Sequence, residues 1–346
     1  MPSPFQFYLK RMILIILSLL FLFVFSYLIN LIPHGGYIKH VLNNCGIAVV
    51  ATVSLNLIVG FTGQFSLGHA GFMAIGAYSS ASFAAFLAPV IFRSLILPPS
   101  VMNGLIMFFG LIFGGVAAAI SGLLVGLPTL RLRGDYLAIA TLGFSEIIRV
   151  LILNIQVIGG ARGFIGIPET ANVFWVWFTV LVTVVVITNL VYSPRGSAFL
   201  AIREDEIAAE SMGIRTTRYK VIAFIIGSFF AGCAGSLFAH HNAYLNPSSF
   251  DFLKSIEVVL MVVLGGLGSI TGSVIAAIGV TALLEGLREF HEYRLVIYSL
   301  LLIVMMIVRP QGIFGNREIF SATARRMLKG TWRETEDDEE NEEIIS

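Results

Sequence analysis

Charged side chains are scarce in this sequence, since only 12% of its 346 residues are Asp, Glu, Lys or Arg. A soluble domain carries about a quarter, so this composition excludes a soluble protein. Apolar runs of about 20 residues, enough to span roughly 30 Å of hydrocarbon, recur along the chain. These runs are continuously apolar and do not alternate with polar residues, which excludes a transmembrane β-barrel. The sequence predicts an all-α polytopic membrane protein.

The sequence also lacks the patterns that carry enzyme chemistry. It has no G-x-x-x-x-G-K-[ST] phosphate loop, so it cannot hydrolyse ATP in the P-loop manner. No nucleophile–base constellation or metal-ligand cluster emerges. Two cysteines, Cys45 and Cys233, lie inside apolar runs without ligand spacing. We therefore expect no catalytic residues, no cofactor and no metal site, and any driving reaction must belong to a partner.

Lys and Arg in the short loops indicate the orientation of the spans. Basic residues cluster before residue 12, in the 128–135 loop, in the 193–220 loop and after Met306. Nine crossings would place the last cluster on the opposite side from the other three, so parity requires one more segment or one fewer. The candidate spans are 12–32, 40–60, 67–88, 103–127, 136–154, 173–192, 220–243, 256–284 and 294–308.

The extra crossing is best assigned to the run 256–284, which "GGLGSITG" interrupts at 265–272. Glycine, serine and threonine weaken a helix there, so we read the run as two short helices that enter and return. This gives about ten membrane segments, including one glycine-broken pair, with both termini cytoplasmic. A single continuous helix, with one weak span elsewhere, is the alternative.

The membrane body is expected to cover residues 12–308, between a short cytoplasmic N-terminus at 1–11 and a cytoplasmic tail at 309–346. Eight acidic residues follow Arg333, and no Lys or Arg follows it. A block of like charges with few apolar anchors predicts disorder after residue 333.

Two glycine-rich breaks interrupt apolar runs at membrane depth, "GFTGQFSLGHAGF" at 60–72 and the break at 265–272. Non-helical backbone is tolerated at that depth only where protein or a water-filled cavity covers it. Paired breaks in opposite halves of a chain indicate a repeat-built transporter with its pathway at the breaks. A plain connecting loop at 60–72 is the alternative. The residues expected to border a translocation path are Gly63, Gln64, Ser66, Gly68, His69, Gly265, Gly266 and Gly268.

The 193–220 loop is the longest polar interruption between spans. Within it, "IREDEIAAESMGI" predicts one short helix, because acidic residues suit a helix start and Gly213 suits its end. Ala208, Ala209 and Met212 would form a face through which a partner packs closely. An amphipathic helix lying on the membrane surface is the alternative.

Two ionisable residues fall inside the predicted span 136–154. Glu146 and Arg149 are three residues apart on one helix and within pairing reach. Charged groups within spans are costly and often functional. The pair is therefore either a self-satisfied structural pair facing the bundle or a polar group near the translocation path.

Five ordered motifs resemble the branched-chain amino-acid ABC transporter permease, in particular its larger, M-type subunit. The resemblance covers about residues 40–315 and rests on "GFTGQFSLGHAGFMAIGAY", "RLRGDYLAIATLGFSEIIR", "AIREDEIAAESMGIRTTRYKVIAF", "VVLGGLGSITGSVIAA" and "RPQGIFG". Two departures stand out. Ile207 occupies the position where the family's coupling motif has Glu. The stretch "GGARGFIGIP" at 159–168 lacks the Thr-Asp that family members more often carry between the glycines.

The resemblance implies a system of two different permeases, two ATP-binding subunits and a periplasmic or extracellular substrate-binding protein. Its setting would be the lipid bilayer of a bacterial or archaeal plasma (inner) membrane, with no nucleic-acid partner. It assigns coupling to the ATP-binding subunits to Glu206, Ala208, Ala209, Met212 and Gly213. Branched-chain or related small amino acids are the expected substrates. Urea or short amides, carried by the same class, and an ion-coupled secondary transporter are the alternatives.

Overall fold

The computed structural model describes residues 22–26, 28–29, 36–92, 98–130, 132, 134–290, 299–300 and 303. The expected segments 1–11 and 309–346 lie outside the described residues. Only short pieces of the predicted spans 12–32 and 294–308 are described, and residues 22–26 and 28–29 are helical.

Helices dominate the described part of the chain. In order they are α1 (Gly36–Phe61), α2 (His69–Ile91), α3 (Pro99–Thr129), α4 (Asp135–Asn154), α5 (Val173–Val191), α6 (Ser197–Glu204), α7 (Glu206–Ser211), α8 (Thr216–Asn242), α9 (Phe252–Gly265) and α10 (Ile270–Gly286). Wide π-helical turns occur at Leu57–Phe61 and Phe83–Leu87, and single 3-10 turns at Gln156–Ile158, Gly160–Arg162, Pro247–Phe250 and Leu287–Phe290.

Among the described helices, α1 to α5 and α8 are long and apolar enough to cross a membrane. Their bounds agree with the predicted spans to within a few residues. The run predicted over 256–284 is divided into α9 and α10. The chain is therefore an all-α polytopic membrane protein.

The central helix of the bundle is α1, which packs against α5, α8, α9 and α10. Its most apolar stretch is 89% buried, whereas that of α4 is only 28% buried. A helix that is apolar all round is buried by protein on every side, so α1 forms the core, and α4 leaves most of its surface to lipid or a partner.

Close glycine contacts hold α2, α3 and α8 together. A methyl group on Gly76 of α2 would overlap the backbone of Gly232 of α8. One on Gly114 of α3 would lie 2.6 Å from the carbonyl oxygen of Gly76. Small residues of this kind let membrane helices approach each other closely.

A short antiparallel ladder joins the segment before α5 to the segment after α8. Strand β1 (Phe164–Ile165) pairs with β2 (Tyr244–Leu245). Beside it, the imidazole of fully buried His240 makes hydrogen bonds with Ser80 Oγ, at 3.0 Å, and with Thr170 Oγ1, at 3.1 Å. These contacts fix one end of the bundle.

Candidate functional site

The first chain break runs back into the bundle. After Phe61 the backbone turns at Thr62, stays irregular over 63–68, and enters α2 at His69. The Nε2 atom of His69 lies 2.9 Å from Ser54 Oγ, about two turns before the end of α1. Helix α2 therefore begins within the bundle and not at its edge.

Side chains of two other helices satisfy the backbone of this break. The amide of Leu67 donates to Thr141 Oγ1 of α4 at 3.1 Å, and the amide of Ala70 donates to Ser255 Oγ of α9 at 3.2 Å. Such contacts are what non-helical backbone at membrane depth requires.

Most of the residues that the sequence assigned to a path at this break are buried. Gln64, Ser66, Gly68 and His69 are enclosed, and Gly63 is exposed. Three of their side-chain atoms have no hydrogen-bond partner among the described residues: Nε2 and Oε1 of Gln64 and Nδ1 of His69. Buried polar atoms are nearly always paired, so these atoms require a partner that this conformation does not supply from the described part of the chain.

The second break separates α9 from α10 at 266–269. Gly266 and Gly268 have φ values of 105° and 82°, which side chains other than glycine rarely adopt. Ser269 then caps α10, because its Oγ accepts from the amide of Gly272 at 3.1 Å. The predicted division of this run into two helices is confirmed, and the alternative of one continuous helix is wrong.

The two breaks meet through one buried amide. Asn56 Nδ2 donates to the carbonyl oxygen of Ser269 and to Ser273 Oγ, both at 2.9 Å, and Asn56 Oδ1 accepts from the amide of Gly268 at 3.0 Å. Gly60 is in such close contact with Gly268 that a methyl group on it would overlap the amide nitrogen of Gly268. The structure thus brings the two breaks into one site, which we call the junction (Asn56, Gly60, Gly268, Ser269).

Arg203 of α6 connects the 193–220 loop to the junction. Its Nη1 donates to the carbonyl oxygen of Gly60 at 3.2 Å. A methyl group on Gly268 would lie only 2.6 Å from the same nitrogen, and one on Gly63 would lie 3.4 Å from Arg203 Cα. The loop therefore touches both breaks with one side chain.

The predicted single helix over "IREDEIAAESMGI" is wrong in its bounds. Residues up to Glu204 belong to α6, and a second helix, α7, begins at Glu206. Asp205 between them is extended, with φ −156° and ψ 112°, and its Oδ1 accepts from the amides of Ile207 and Ala208. An Asp that caps one helix in this way leaves helical geometry itself, which ends the preceding helix.

The five residues assigned to coupling do not share one surface. Ala208, Met212 and Gly213 are exposed, Met212 by 84%, and no atom of the described residues lies within 4 Å of a methyl group placed on Gly213. Ala209 is buried, so it does not belong to the predicted small-residue face, and Glu206 forms an ion pair with Lys220 at 2.6 Å.

Ile207 is also exposed, by 65%. Together with the exposed Ala208, Met212 and Gly213, it forms a surface that we call the α7 face (Ile207, Ala208, Met212, Gly213). It is apolar and protrudes from the loop. The departure from the coupling motif, Ile in place of Glu, thus lies on a surface that the described residues leave exposed.

Glu146 and Arg149 form an ion pair within α4. Arg149 Nε and Nη2 donate to Glu146 Oε2 at 2.8 and 2.7 Å, and each side chain is about one-third exposed. The two charges compensate each other inside the helix. Among the described residues, no group of three or more His, Cys, Asp or Glu is placed to hold a metal ion.

Sequence reasoning missed Asn56, Arg203 and Ser269, which carry the junction. One signal was present: Asn56 is an amide inside the apolar run 40–60, four residues before the first break. Polar groups inside spans are rare enough to be functional candidates. Nothing local to Arg203 distinguishes it from the other basic residues of the loop.

Comparison with known proteins places the chain in one family. Residues 37–309 match the profile described as "Branched-chain amino acid transport system / permease component". The high-affinity branched-chain amino acid transport system permease protein LivM of Salmonella typhimurium is 37% identical over 302 residues, 77% of this chain and 67% of the relative. No solved structure matches the chain at a significant level.

Two further relatives differ in how much of the chain they match. The probable branched-chain amino acid transport permease protein LivM of Methanocaldococcus jannaschii is 22% identical over 330 residues, 82% of this chain and 94% of the relative. The permease protein LivH of Escherichia coli, from the high-affinity branched-chain system, is 32% identical over 147 residues, 42% of this chain and 47% of the relative.

Proposed function

The chain belongs to the family of branched-chain amino acid transport permeases, and on this basis we propose that it is a membrane-spanning permease subunit of an ATP-binding-cassette importer for branched-chain amino acids. The family and the relatives are permease components, so the chain is not itself an enzyme, and ATP hydrolysis belongs to separate subunits. The observation that carries the mechanism is the contact of Arg203 with Gly60, which joins the 193–220 loop to both chain breaks.

Coupling to ATP hydrolysis proceeds through the 193–220 loop. One of the two ATP-binding subunits docks on the α7 face, whose apolar residues are exposed. Of the assigned coupling residues, Ala208, Met212 and Gly213 make contact with this subunit, whereas Ala209 and Glu206 hold α7 in place. When the ATP-binding subunits approach each other, α7 and α6 move together, and Arg203 transmits this movement to the junction.

The translocation path passes the junction. The amide of Gln64 and the Nδ1 of His69, which have no partner among the described residues, support this assignment, because a conformation that opens the path gives these atoms water or substrate as partners. Ser66 and the glycines at 63, 68, 265, 266 and 268 border the same region. Glu146 and Arg149 lie within a membrane segment as a compensated pair and serve the structure of α4.

The proposed assembly contains a second, different permease, two ATP-binding subunits and a substrate-binding protein outside the membrane. Two kinds of related permease, LivM and LivH, both named for a high-affinity branched-chain system, support the heterodimer. Ten membrane segments over residues 12–308, with 1–11 and 309–346 in the cytoplasm, place the loop before α5 outside, where it meets the binding protein. The membrane is the plasma (inner) membrane of a bacterium or archaeon.

An ion-coupled secondary transporter is less well supported. Such a protein uses solitary ionisable groups in its interior for ion coupling. Two carboxylates within the described helices, Glu146 and Glu257, are not solitary: Glu146 pairs with Arg149, and Glu257 pairs with Lys254 at 3.0 Å.

Reconstitution tests the proposal. The chain is co-expressed with its partner permease and ATP-binding subunits, and the complex is placed in liposomes with the binding protein outside. Uptake of leucine, isoleucine and valine is measured with and without internal ATP, beside urea and acetamide. We expect ATP-dependent uptake of the branched-chain amino acids only. Uptake that persists when the phosphate-loop lysines of the ATP-binding subunits are replaced contradicts an ATP-driven importer, and preferred uptake of urea or acetamide contradicts the substrate class.

A further inference from the structure

A cavity of about 190 Å³ lies between α1, α9 and α10, away from the junction. Its lining from α1 ends at Ala51, nine residues before Gly60, which is about 13 Å along the helix. Its lining from α9 and α10 comes from residues 254–261 and 281–285, so it ends five residues before the break at 266–269 and resumes twelve residues after it. In the proposed topology the junction is on the cytoplasmic side, and this cavity belongs to the outer half of the same three helices.

The inner wall of the cavity is apolar. It is formed mainly by Ile47 and Ala51 of α1, Val258 and Met261 of α9, and Leu284 of α10. An apolar cavity of about 150 Å³ accepts a benzene molecule, so this volume is sufficient for the branched side chain of leucine, isoleucine or valine.

Charged residues of both signs lie at the rim of the cavity. Lys254 Nζ and Glu257 Oε2 form a 3.0 Å ion pair, with each side chain only about one-quarter exposed. Glu285 is 13% exposed and makes a 3.3 Å contact with Arg288, whose own side chain is 63% exposed. The charges at this cavity are thus compensated by neighbouring side chains, as charges with restricted access to water require.

Thr281 adds an unpaired polar atom to this lining. Its Oγ1 is buried and has no hydrogen-bond partner among the described residues. A hydroxyl in this state is ready to donate to, or accept from, a ligand in the cavity.

From this combination we propose that the cavity is a receiving site for one zwitterionic α-amino acid with a branched apolar side chain. Lys254 binds the carboxylate, Glu257 and Glu285 bind the ammonium group, Thr281 adds a hydrogen bond, and the apolar wall takes the side chain. The ligand replaces the direct contact between Lys254 and Glu257 by one contact to each of its own charges. This inference rests on the proposed function, because it takes its ligand class from it.

Equilibrium binding tests the site directly. The complete transporter in lipid nanodiscs, without ATP and without binding protein, is titrated with radiolabelled L-leucine in a scintillation proximity assay. Isocaproate, which lacks the ammonium group, and isoamylamine, which lacks the carboxylate, are the competitors. We expect saturable leucine binding and at least tenfold weaker competition by either analogue, since each loses one charged hydrogen-bond partner.

Three variants locate the binding. Lys254→Met and Glu285→Gln are expected to weaken leucine binding by about 10- to 100-fold. Ala48→Phe, which fills the space at the α1 wall, is expected to abolish it. Lys39→Met, also near the outer end of the bundle, and Ala282→Phe, which faces outward on α10, are the matched controls and should bind leucine as the unmodified protein does.

Two results would overturn the site. One is the absence of saturable binding at leucine concentrations up to about 10 mM, which would detect even a site with a Kd of about 1 mM. The other is undiminished binding by both Lys254→Met and Ala48→Phe. Neither result affects the proposed function if ATP-driven leucine uptake by the unmodified complex persists, so the uptake assay separates the failure of the site from the failure of the function.

Discussion

Arg203 Nη1 donates a hydrogen bond to the carbonyl oxygen of Gly60 at 3.2 Å, and residues 143 positions apart in the chain are thereby joined. Gly268 lies against the same nitrogen, with no space there for even a methyl group. The guanidinium is planar and fixed in direction, so movement of α6 reaches both chain breaks through a single group.

Removal of this group should uncouple the transporter. In Arg203→Met, we expect ATP hydrolysis to continue while leucine uptake falls about tenfold, because one hydrogen bond to a charged donor is lost. Arg203→Lys should retain part of the uptake. The number of ATP molecules hydrolysed per leucine transported is the measurement, and Arg195→Met, in an exposed position of the same loop, is the control. An unchanged ratio in Arg203→Met would show that coupling takes another route.

A large side chain on the α7 face should block docking. Gly213→Trp is expected to leave membrane insertion intact and to uncouple hydrolysis from uptake, since the described residues leave open space around Gly213. Its φ of 84° strains most side chains, but Asn tolerates this region. Gly213→Asn is therefore the control for backbone strain and should transport normally. Normal uptake by the Trp variant would remove the α7 face from the coupling assignment.

Side chains at the second break should impair transport. Gly268→Leu and Gly266→Leu would each strain the backbone by about 1–3 kcal/mol, because residues with a side chain rarely adopt φ values of 82° and 105°. Gly268→Leu would also displace Arg203. Gly279→Leu on α10 meets no atom of the described residues and needs no positive φ, so it controls for the added side chain. Initial uptake rates, normalised to inserted protein, are compared. Equal rates for all three variants would mean that transport does not require this close approach.

Gln64 should reveal what its unpaired amide does. Replacing it with Met removes two buried polar atoms that have no partner in the described part of the chain. Each such atom lowers stability by about 1–3 kcal/mol while it lacks a hydrogen bond. We expect a higher melting temperature of the detergent-solubilised protein and slower uptake, because the observed conformation is stabilised at the expense of the open one. Asn154→Met is the comparison, since the Asn154 amide donates to Val150 at 2.7 Å and its loss should give no stabilisation. A stabilised Gln64→Met variant with normal uptake would separate Gln64 from the path.

The Glu146–Arg149 pair calls for a double-mutant cycle. If the pair is structural, Glu146→Gln lowers stability because it leaves an uncompensated charge within a membrane segment. The double variant, with Arg149→Gln, then recovers both stability and uptake. The effects of the two substitutions should therefore not be additive, and the coupling energy of the cycle measures the contribution of the pair. Lost uptake in a stable double variant would instead support a role in the path.

The two chain breaks could be predicted from the local sequence, but the contact between them could not. The irregular backbone at 266–269 was predictable, because glycine density lowers helix stability over a few consecutive residues. The contacts of Asn56 with Ser269 and Gly268 depend on how α1 packs against α9 and α10. No pattern within either segment specifies that packing. The sequence therefore indicates that two breaks exist, but it does not identify the residues through which they are in contact.

The coupling loop shows a different limit. Acidic residues near a helix start were recognised, but Asp205 was counted as part of the helix that it caps. A cap and a first-turn residue have the same preferred side chains, and only the backbone angles tell them apart. The error shifted the helix start by four residues and placed Ala209 on the wrong surface.

The glycine contacts among α2, α3 and α8 have a mechanical consequence. Where backbone meets backbone, as at Gly76 and Gly232, there is no flexible side chain to absorb a displacement. These three helices should therefore move as one rigid body, with the bending confined to the irregular segments 63–68 and 266–269, which act as hinges. Spin-label distances between exposed positions of α3 and α8 should stay constant through the ATP cycle, whereas distances from α3 to α10 should change.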